Sequence, residues 1–585
     1  ENLAAYIREF RALLDDAGVS YGMFGHVDAG VLHVRPALDL TREDHVPMVR
    51  RISDAVVALT RKHGGVLWGE HGKGVRSEYV PEFFGDLYPD LQDIKRAFDP
   101  ENRLNPGKIA APSSAPAPLL KIDEVPLRGA SDRVIGNEIR ADLDNAAYCN
   151  GNGACFDFDE TSPMCPSYKA TRDRRFSPKG RAMLMREWLR LLADRGIDPR
   201  KEAGRLRSGN SFARLPARLF NSLNPKNRAD FSHEVREAMD SCLACKACAG
   251  QCPVKVSVPA FRSKFLELYY GRYLRPLKDP LVSAIETTLP WMRRVRPLYN
   301  LAAGTALGQR LMRTAGLTSL PLLPKTSLQT AASRLGIANA DPEALAKLSA
   351  AERQAIVVFV PDAFTASFDP DVVIAAIKLA QKIGLSPLLA APHVNGKALH
   401  VHGYLGQFEK AALKTANHLQ RLAQTGVTLV GLDPSMTLAF RSEYKGTALS
   451  APVLLPQEWL AANLERLAKN ITTPSGKRFQ LLPHCTERSN APASTAQWKA
   501  VFDAVKIKLE TIQAGCCGMA GTFGHETRNR AVSEQLYAMS WAGPIAASSD
   551  DTVVMATGYS CRSQAKAIDA IRPPHPLEIL SQLVD

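Results

Sequence analysis

Apolar positions along residues 1 to about 110 switch repeatedly between helical and strand-like spacing, and this stretch closes in the turn-forming Asn105-Pro106-Gly107-Lys108. It predicts a mixed α+β domain. The run from Ala110 to Pro118, rich in alanine, proline and serine, opens a linker assigned to residues 111–140. Residues 141–275 start in loop-like sequence with Asn150, Gly151 and Gly153 and continue with helical periodicity, which predicts a small helical domain. Within it, Arg181 to Arg195 carries a stripe of Leu184, Trp188, Leu191 and Leu192 that reads as core. Amphipathic helical stretches continue from Phe261 to Leu323 and include Trp291, Arg293, Arg294 and Arg296. They can pack on the helical domain or rest on a membrane surface; packing is preferred, because interfacial helices show a stronger charged face. Residues 276–345 are assigned as a helical connector.

The last 240 residues contain an internal repeat. Val357 to Pro361 and Gln480 to Pro483 are apolar, strand-like runs ending in prolines 122 positions apart, and Asn395-Gly396 and Cys517-Gly518 have the same offset. Two duplicated α/β units are expected, at residues 346–450 and 451–585. Turns of the second carry Cys485, Cys516, Cys517 and Cys561, where the first has Ala363, Val394, Asn395 and Met436. Four thiols on separated turns suit a metal or cluster site, since thiolates repel unless a cation or a disulfide unites them. Buried free cysteines are the plainer alternative. The first copy is expected to serve structure alone.

Composition narrows the class. With 585 residues and 45% hydrophobic content, the chain is expected to form three to five domains, and no apolar run is long enough to span a bilayer. The net charge is +14, concentrated between Lys169 and Asp230, where 17 basic residues face 6 acidic ones. Nucleic acid is set aside because the patch offers only Phe176, Trp188, Phe212 and Phe220 as stacking platforms. Glu1 leads directly into the first element, so a segment N-terminal to it is expected.

Seven cysteines carry the most specific chemistry. Cys242, Cys245, Cys248 and Cys252 read Cys-x2-Cys-x2-Cys-x3-Cys-Pro, the spacing of a two-cluster ferredoxin, in which the fourth cysteine of each run serves the other cluster. Cys242, Cys245 and Cys248 therefore pair with Cys165, itself followed by Pro166. Cys149, Cys155 and Cys252 make the second set, with Asn152 where a middle thiolate is expected. That centre is either a three-iron cluster, a cluster with an oxygen ligand or one with a labile iron. Structural zinc, which closes with four ligands, fits seven thiols poorly. No secretory segment is read, so free thiols in a reducing, cytoplasmic compartment are expected, with a peripheral place at the inner membrane as the variant.

A second constellation lies near the start. Gly25-His26-Val27-Asp28-Ala29-Gly30-Val31-Leu32-His33 sets two histidines about a turn, and a hairpin lets them face each other. Gly69-Glu70-His71-Gly72 adds a carboxylate and a further imidazole. Two histidines and a glutamate with an open position form a catalytic zinc-type set, and His71 is placed to act as a base.

These two histidines, Glu70-His71-Gly72 and Asn105-Pro106-Gly107-Lys108 resemble the C-terminal domain of FAD-linked oxidases related to vanillyl-alcohol oxidase, especially D-lactate and D-2-hydroxyglutarate dehydrogenases. The cysteine runs and Cys-Cys-Gly resemble the iron-sulfur subunit of glycolate oxidase and the cysteine-rich domains of heterodisulfide reductase. Both parts in one chain resemble the bacterial FAD and iron-sulfur D-2-hydroxyglutarate dehydrogenases, most specifically at Cys149-Asn150-Gly151-Asn152-Gly153 and Phe176-Ser177-Pro178-Lys179-Gly180-Arg181. The resemblance implies a multidomain α+β protein: an FAD-linked oxidase cap domain, an α-helical ferredoxin-like domain and two α/β Cys-Cys-Gly-type repeats.

It further implies a divalent metal, zinc above all, on His26, His33 and Glu70; His71 as base; Asn105 and Lys108 toward FAD; and [4Fe-4S] clusters, one of them [3Fe-4S] if Asn152 leaves a gap. An FAD-binding domain would have to precede residue 1. Cys561-Arg562-Ser563-Gln564 lacks the second cysteine of the last Cys-x-x-Cys, which leaves four thiolates there, enough for zinc or an ordinary cluster. The implied reaction oxidises a D-2-hydroxy acid, D-2-hydroxyglutarate first, and passes electrons to a quinone or soluble carrier; a homo-oligomer is compatible with it. The competing readings are an electron-transfer subunit without catalysis and a D-lactate or glycolate dehydrogenase.

Overall fold

The computed structural model describes residues 2–127, 129–210, 212–318, 321–469 and 476–584. They form two compact units, residues 1–137 and 138–585. The first is built on an antiparallel hairpin of β1 (Tyr21–His26) and β2 (Val31–Pro36), paired so that Met23 faces Val34 and Phe24 faces His33. Strand alternation sends Tyr21, Met23 and Val34 to one face, where Phe10 and Leu14 of helix Leu3–Asp16 and Ile52 and Leu59 of helix Val46–Lys62 cover them. Phe24, His26 and His33 are left on the other face.

The stretch expected as a linker is part of this unit. Ala110, Ala111 and Ile122 are buried, Gln92 donates to the Ala111 carbonyl, and Arg50 bridges Glu78 and Asp123. Burying these small apolar residues and pairing Asp123 hold it down, where its composition alone suggests a free tether.

The second unit opens with helices. Pro178–Asp194 starts at Ser177, whose hydroxyl accepts the Gly180 N–H, with Pro178 in the first turn. Its buried stripe is Ala182, Met185, Trp188 and Leu189, with Trp188 edge-on to Phe265. Leu184, Leu191 and Leu192 are only half-buried, so the core-facing stripe is turned from the expected one and Trp188 is shared. Helix Val258–Arg272 is buried along most of its length.

Two three-stranded parallel sheets follow. The first contains β3 (Ile356–Val360), β4 (Ser386–Leu389) and β5 (Thr428–Gly431) in the order β4-β3-β5. The second contains β6 (Arg478–Leu482), β7 (Leu509–Thr511) and β8 (Thr552–Ala556) in the order β7-β6-β8. The central strand of each is its first in sequence, so the topology is repeated. β3 is buried at every position, as expected for a parallel strand covered on both faces. Val357, Phe359 and Val430 share one core with Phe479, Leu481 and Met555, and Trp459 and Trp498 belong to it as well.

Candidate metal and iron-sulfur centres

In the first unit the hairpin register sets His26 and His33 diagonally on the open face, with ring centroids 5.6 Å apart. Gly25 is required here, because a Cβ would lie 2.1 Å from the Val31 carbonyl oxygen. The loop through Gly69 reaches over this face; a Cβ on Gly69 would come 2.9 Å from Val31 Cγ1. Glu70 Oε1 thereby lies 3.2 Å from His33 Nε2 and 3.7 Å from His26 Nε2, and the three ligand atoms fall within 4.8 Å of one another. Two imidazoles and a carboxylate converging from one side fit a divalent cation with further coordination positions left open. His71 Nε2 is 3.3 Å from the same carboxylate oxygen, and its side chain is three-quarters exposed. His33 stacks on Phe24, which fixes its plane.

His33, Glu70 and His71 line a cleft of about 810 Å³ whose walls include Trp68, Arg35, Lys73 and Arg76. Lys73 stands over the Trp68 ring within this space, and Arg35, which also lines it, lies over Phe24. Asn105 and Lys108 do not line it; they sit in the turn after helix Tyr88–Phe98, where Asn105 adopts a left-handed φ of 47° and its carbonyl accepts the Lys108 N–H.

The seven-cysteine region is organised around the start of helix Pro178–Asp194. Cys165, Cys242, Cys245 and Cys248 line one small cavity together with Arg181. Burial pushes the Cys248 thiol up to about 12, and neighbouring Cys242 adds to it; burial likewise raises Cys165 and Cys245. Four thiols packed this closely cannot ionise together without cations among them, so the donor set fits an iron-sulfur cluster. Backbone amides are aimed at the sulfurs, with Ala244 N–H donating to Cys242 Sγ at 3.4 Å. The loop bends through left-handed Ala244 and Lys246 to do so.

Arg181 is 1% exposed and donates to Ala238 O, Ser167 Oγ, Ser241 Oγ and, at 3.7 Å, Cys165 Sγ. Cys149 and Cys155 adjoin each other, and the Cys155 thiol, raised by burial, receives the Lys179 backbone N–H at the same helix N-terminus. A Cβ on Gly180 would lie 2.1 Å from the Arg174 carbonyl. Ser177 to Arg181 therefore ties the two cysteine sets together, each residue for its own reason. Cys252 is buried after helix Ala247–Gln251. Asn152 is exposed, and its side-chain oxygen accepts the Ala154 N–H within its own loop.

In the second sheet Cys485 follows β6, Cys516 and Cys517 follow β7, and Cys561 lies in the helix after β8. All four are buried, in a row of contacts from Cys485 to Cys516, Cys517 and Cys561. The Cys516 contact, burial and charge repulsion drive Cys485 far above the usual thiol range. For Cys517 the Cys516 contact lowers the value, but the Cys561 contact and burial outweigh it. Gly518 has a left-handed φ of 86°, and a Cβ there would sit 2.2 Å from Ser533 O, so the Cys-Cys-Gly turn admits no side chain. Cys245 of the helical region is charge-coupled to Cys485, and Thr486 Oγ1 donates to its carbonyl at 3.2 Å.

Sequence reasoning missed the groups that share this space. A cavity of about 130 Å³ is lined by Cys242, Cys245, Cys485 and Cys516 and also by Asp362, Lys397, Asp433 and His484. Burial and the nearby Asp433 raise the Asp362 carboxyl to about 6. Asp362 lies 122 residues before His484. Both cap the helix after the first strand of their sheet, Asp362 accepting Phe364 and Thr365 N–H and His484 accepting Thr486 N–H. The shared offset was the available signal.

Residues 1–109 match the family described as FAD linked oxidases, C-terminal domain, and residues 145–256 match the 4Fe-4S dicluster domain. D-2-hydroxyglutarate dehydrogenase of Pseudomonas putida is 50% identical over 588 residues, covering 100% of this chain and 58% of that protein. The Escherichia coli protein of the same name is 49% identical with the same coverage. D-lactate dehydrogenase of Archaeoglobus fulgidus is 32% identical over 108 residues, 18% of this chain and 24% of that protein. No solved structure matches. The chain thus spans 58% of the length of the full-length relatives. No described helix is long and apolar enough to cross a membrane.

Proposed function

We infer, from a chain that is similar along its whole length to D-2-hydroxyglutarate dehydrogenases, that it is the substrate-binding and electron-carrying part of an FAD- and iron-sulfur-dependent D-2-hydroxy-acid dehydrogenase. The observation that carries this reading is the convergence of His26, His33 and Glu70 within 4.8 Å, with His33 and Glu70 on the wall of an open cleft. A divalent cation on these residues, zinc by preference, would supply Lewis-acid polarisation of the substrate hydroxyl. His71, beside Glu70 and open to the cleft, takes the hydroxyl proton. Arg35, Lys73 and Arg76 present cations in the same cleft, which suits a substrate with a second carboxylate and so favours D-2-hydroxyglutarate over D-lactate.

The flavin, whose chemistry is hydride acceptance from C2, belongs with the part of the relatives that this chain does not span. Cys165, Cys242, Cys245 and Cys248 are assigned to one cluster and Cys149, Cys155 and Cys252 to a second, three-iron or with a non-cysteine ligand beside Asn152. The two sheets are read as a degenerate and an intact Cys-Cys-Gly-type repeat, with Cys485, Cys516, Cys517 and Cys561 holding iron or zinc. A quinone or soluble carrier is the acceptor in this scheme.

The test uses the protein together with its flavin-bearing part. Replacing His71→Ala should abolish flavin bleaching by D-2-hydroxyglutarate while dithionite still reduces the clusters, and bleaching by the wild type should be faster with the dicarboxylate than with D-lactate. Near-normal bleaching by the variant would overturn the assignment.

A further inference from the structure

Helices Ile285–Arg294, Arg296–Gly304 and Ala306–Thr314 follow one another, and the last two pack as a hairpin. Neither of those two buries a single residue. One side is held by polar anchors. Tyr299 OH donates to the Pro321 carbonyl at 2.9 Å, Asn300 exchanges two hydrogen bonds with Leu323, and Arg293 donates to the carbonyls of Ser367 and Pro324. The other side is apolar and bare: Trp291, Val295, Leu298, Leu301, Leu307 and Leu311 are each half or more exposed. A run of large apolar residues this exposed marks an interaction surface.

Charge identifies the partner. From Thr287 to Ala340 the chain has no Asp or Glu, but it has Arg293, Arg294, Arg296, Arg310, Arg313, Lys325 and Arg334. Arg294, Arg310 and Arg313 are exposed beside the leucines, and Arg294 lies over the Trp291 ring at 4.7 Å. A second copy docking here would bring the same unrelieved positive patch against itself, since a two-fold interface is self-complementary. A bilayer surface rich in anionic lipid offers negative headgroups to the arginines and acyl chains to Trp291 and the leucines.

The sequence pattern favours packing of these helices on the helical domain, but their apolar side is left exposed. We propose that this helical hairpin docks the chain on the surface of an anionic membrane, with the apolar side lying in the headgroup region. No described helix is suited to crossing, so the contact is interfacial. The face lies outside the cysteine sites and does not depend on the dehydrogenase reading.

The test is flotation of the full chain with phosphatidylglycerol–phosphatidylcholine vesicles and with phosphatidylcholine alone. Binding should require the anionic lipid and weaken with salt. Leu298→Glu with Leu307→Glu, and separately Arg294→Glu with Arg310→Glu, should each reduce it at least about tenfold with unchanged circular dichroism. Lys410→Glu with Lys414→Glu, on the exposed side of helix Leu405–Gln424, should leave it unchanged. The proposal is overturned by absent binding, by binding that survives the hairpin variants, or by equal loss in the Lys410 and Lys414 control. A dimer in solution that only the leucine variants dissociate, without vesicle binding, would assign the face to a second copy instead.

Discussion

Replacing Arg181→Met should shift the reduction potential of one iron-sulfur cluster and leave the other in place. The guanidinium is 1% exposed and its Nη1 is 3.7 Å from Cys165 Sγ, so iron held by that sulfur would stand about 6 Å from the charge. If Cys165 holds the proposed cluster, one unit charge at about 6 Å and an effective dielectric of about 20 would be worth ~3 kcal/mol, or roughly 120 mV for one electron. Removing the cation makes reduction harder, so the potential falls. Stability should suffer less: Ser241 Oγ still donates to Ala238 O at 3.0 Å once the arginine is gone, leaving Ser167 as the group that loses a partner. The expected cost is ~2 kcal/mol. The assay is a low-temperature EPR redox titration with iron content measured alongside, and Arg181→Lys, which keeps the charge, should shift by less than half as much. A potential that moves by less than about 30 mV at full iron occupancy would refute the placement of the charge.

Gly25→Ala forces a Cβ to 2.1 Å from Val31 O, so it should open the hairpin at a cost of about 1–3 kcal/mol and abolish binding of the divalent metal proposed for His26, His33 and Glu70; metal analysis should then show unchanged iron. Glu286 accepts the backbone N–H groups of Asn395 and Gly396, yet burial raises its carboxyl from 4.5 to about 7. Because the folded value exceeds the unfolded one, folding takes up a proton, and this contribution is full below about 4.5 and fades as pH rises through about 7. Urea titrations should show the wild type losing roughly 3 kcal/mol across that window from this group, and Glu286→Gln should flatten the slope.

How much of this could be read from the residues alone depended on whether the relevant contacts were local. The hairpin around His26 and His33 and the Cys-x2-Cys-x2-Cys spacing are local patterns, and the sheets fall where the 122-residue offset of Pro361 and Pro483 places them. Arg181 was opaque, because Ser167, Ala238 and Ser241 lie 14 to 60 residues away and only packing gathers them. The stripe on helix Pro178–Asp194 was turned for the same reason: which apolar side faces inward is decided by Phe265 and its neighbours, and periodicity supplies only that such a side exists. Ala110 and Ala111 have the composition of a tether and the burial of a core.

The repeat shows what duplication alone leaves undetermined. Equal topology places an N-cap after the first strand of each sheet, and the requirement at that position is only for a side chain that accepts backbone N–H groups. Asp362 and His484 both meet it, so backbone geometry tolerates either while the chemistry they bring differs. The first copy has no thiols at the positions of Cys485, Cys516 and Cys517, and on that ground it reads as a scaffold. Its strand ends nevertheless deliver Asp362, Lys397 and Asp433 to the cavity that Cys485 and Cys516 line from the other side. Asp433 Oδ2 accepts the Tyr559 N–H at 2.9 Å, two residues before Cys561, so the first copy also holds the N-terminus of the helix that carries the second copy's last thiol. With one hydrophobic core shared by both sheets, the copy without cysteines still brings charged side chains to the cavity that the second copy's thiols line.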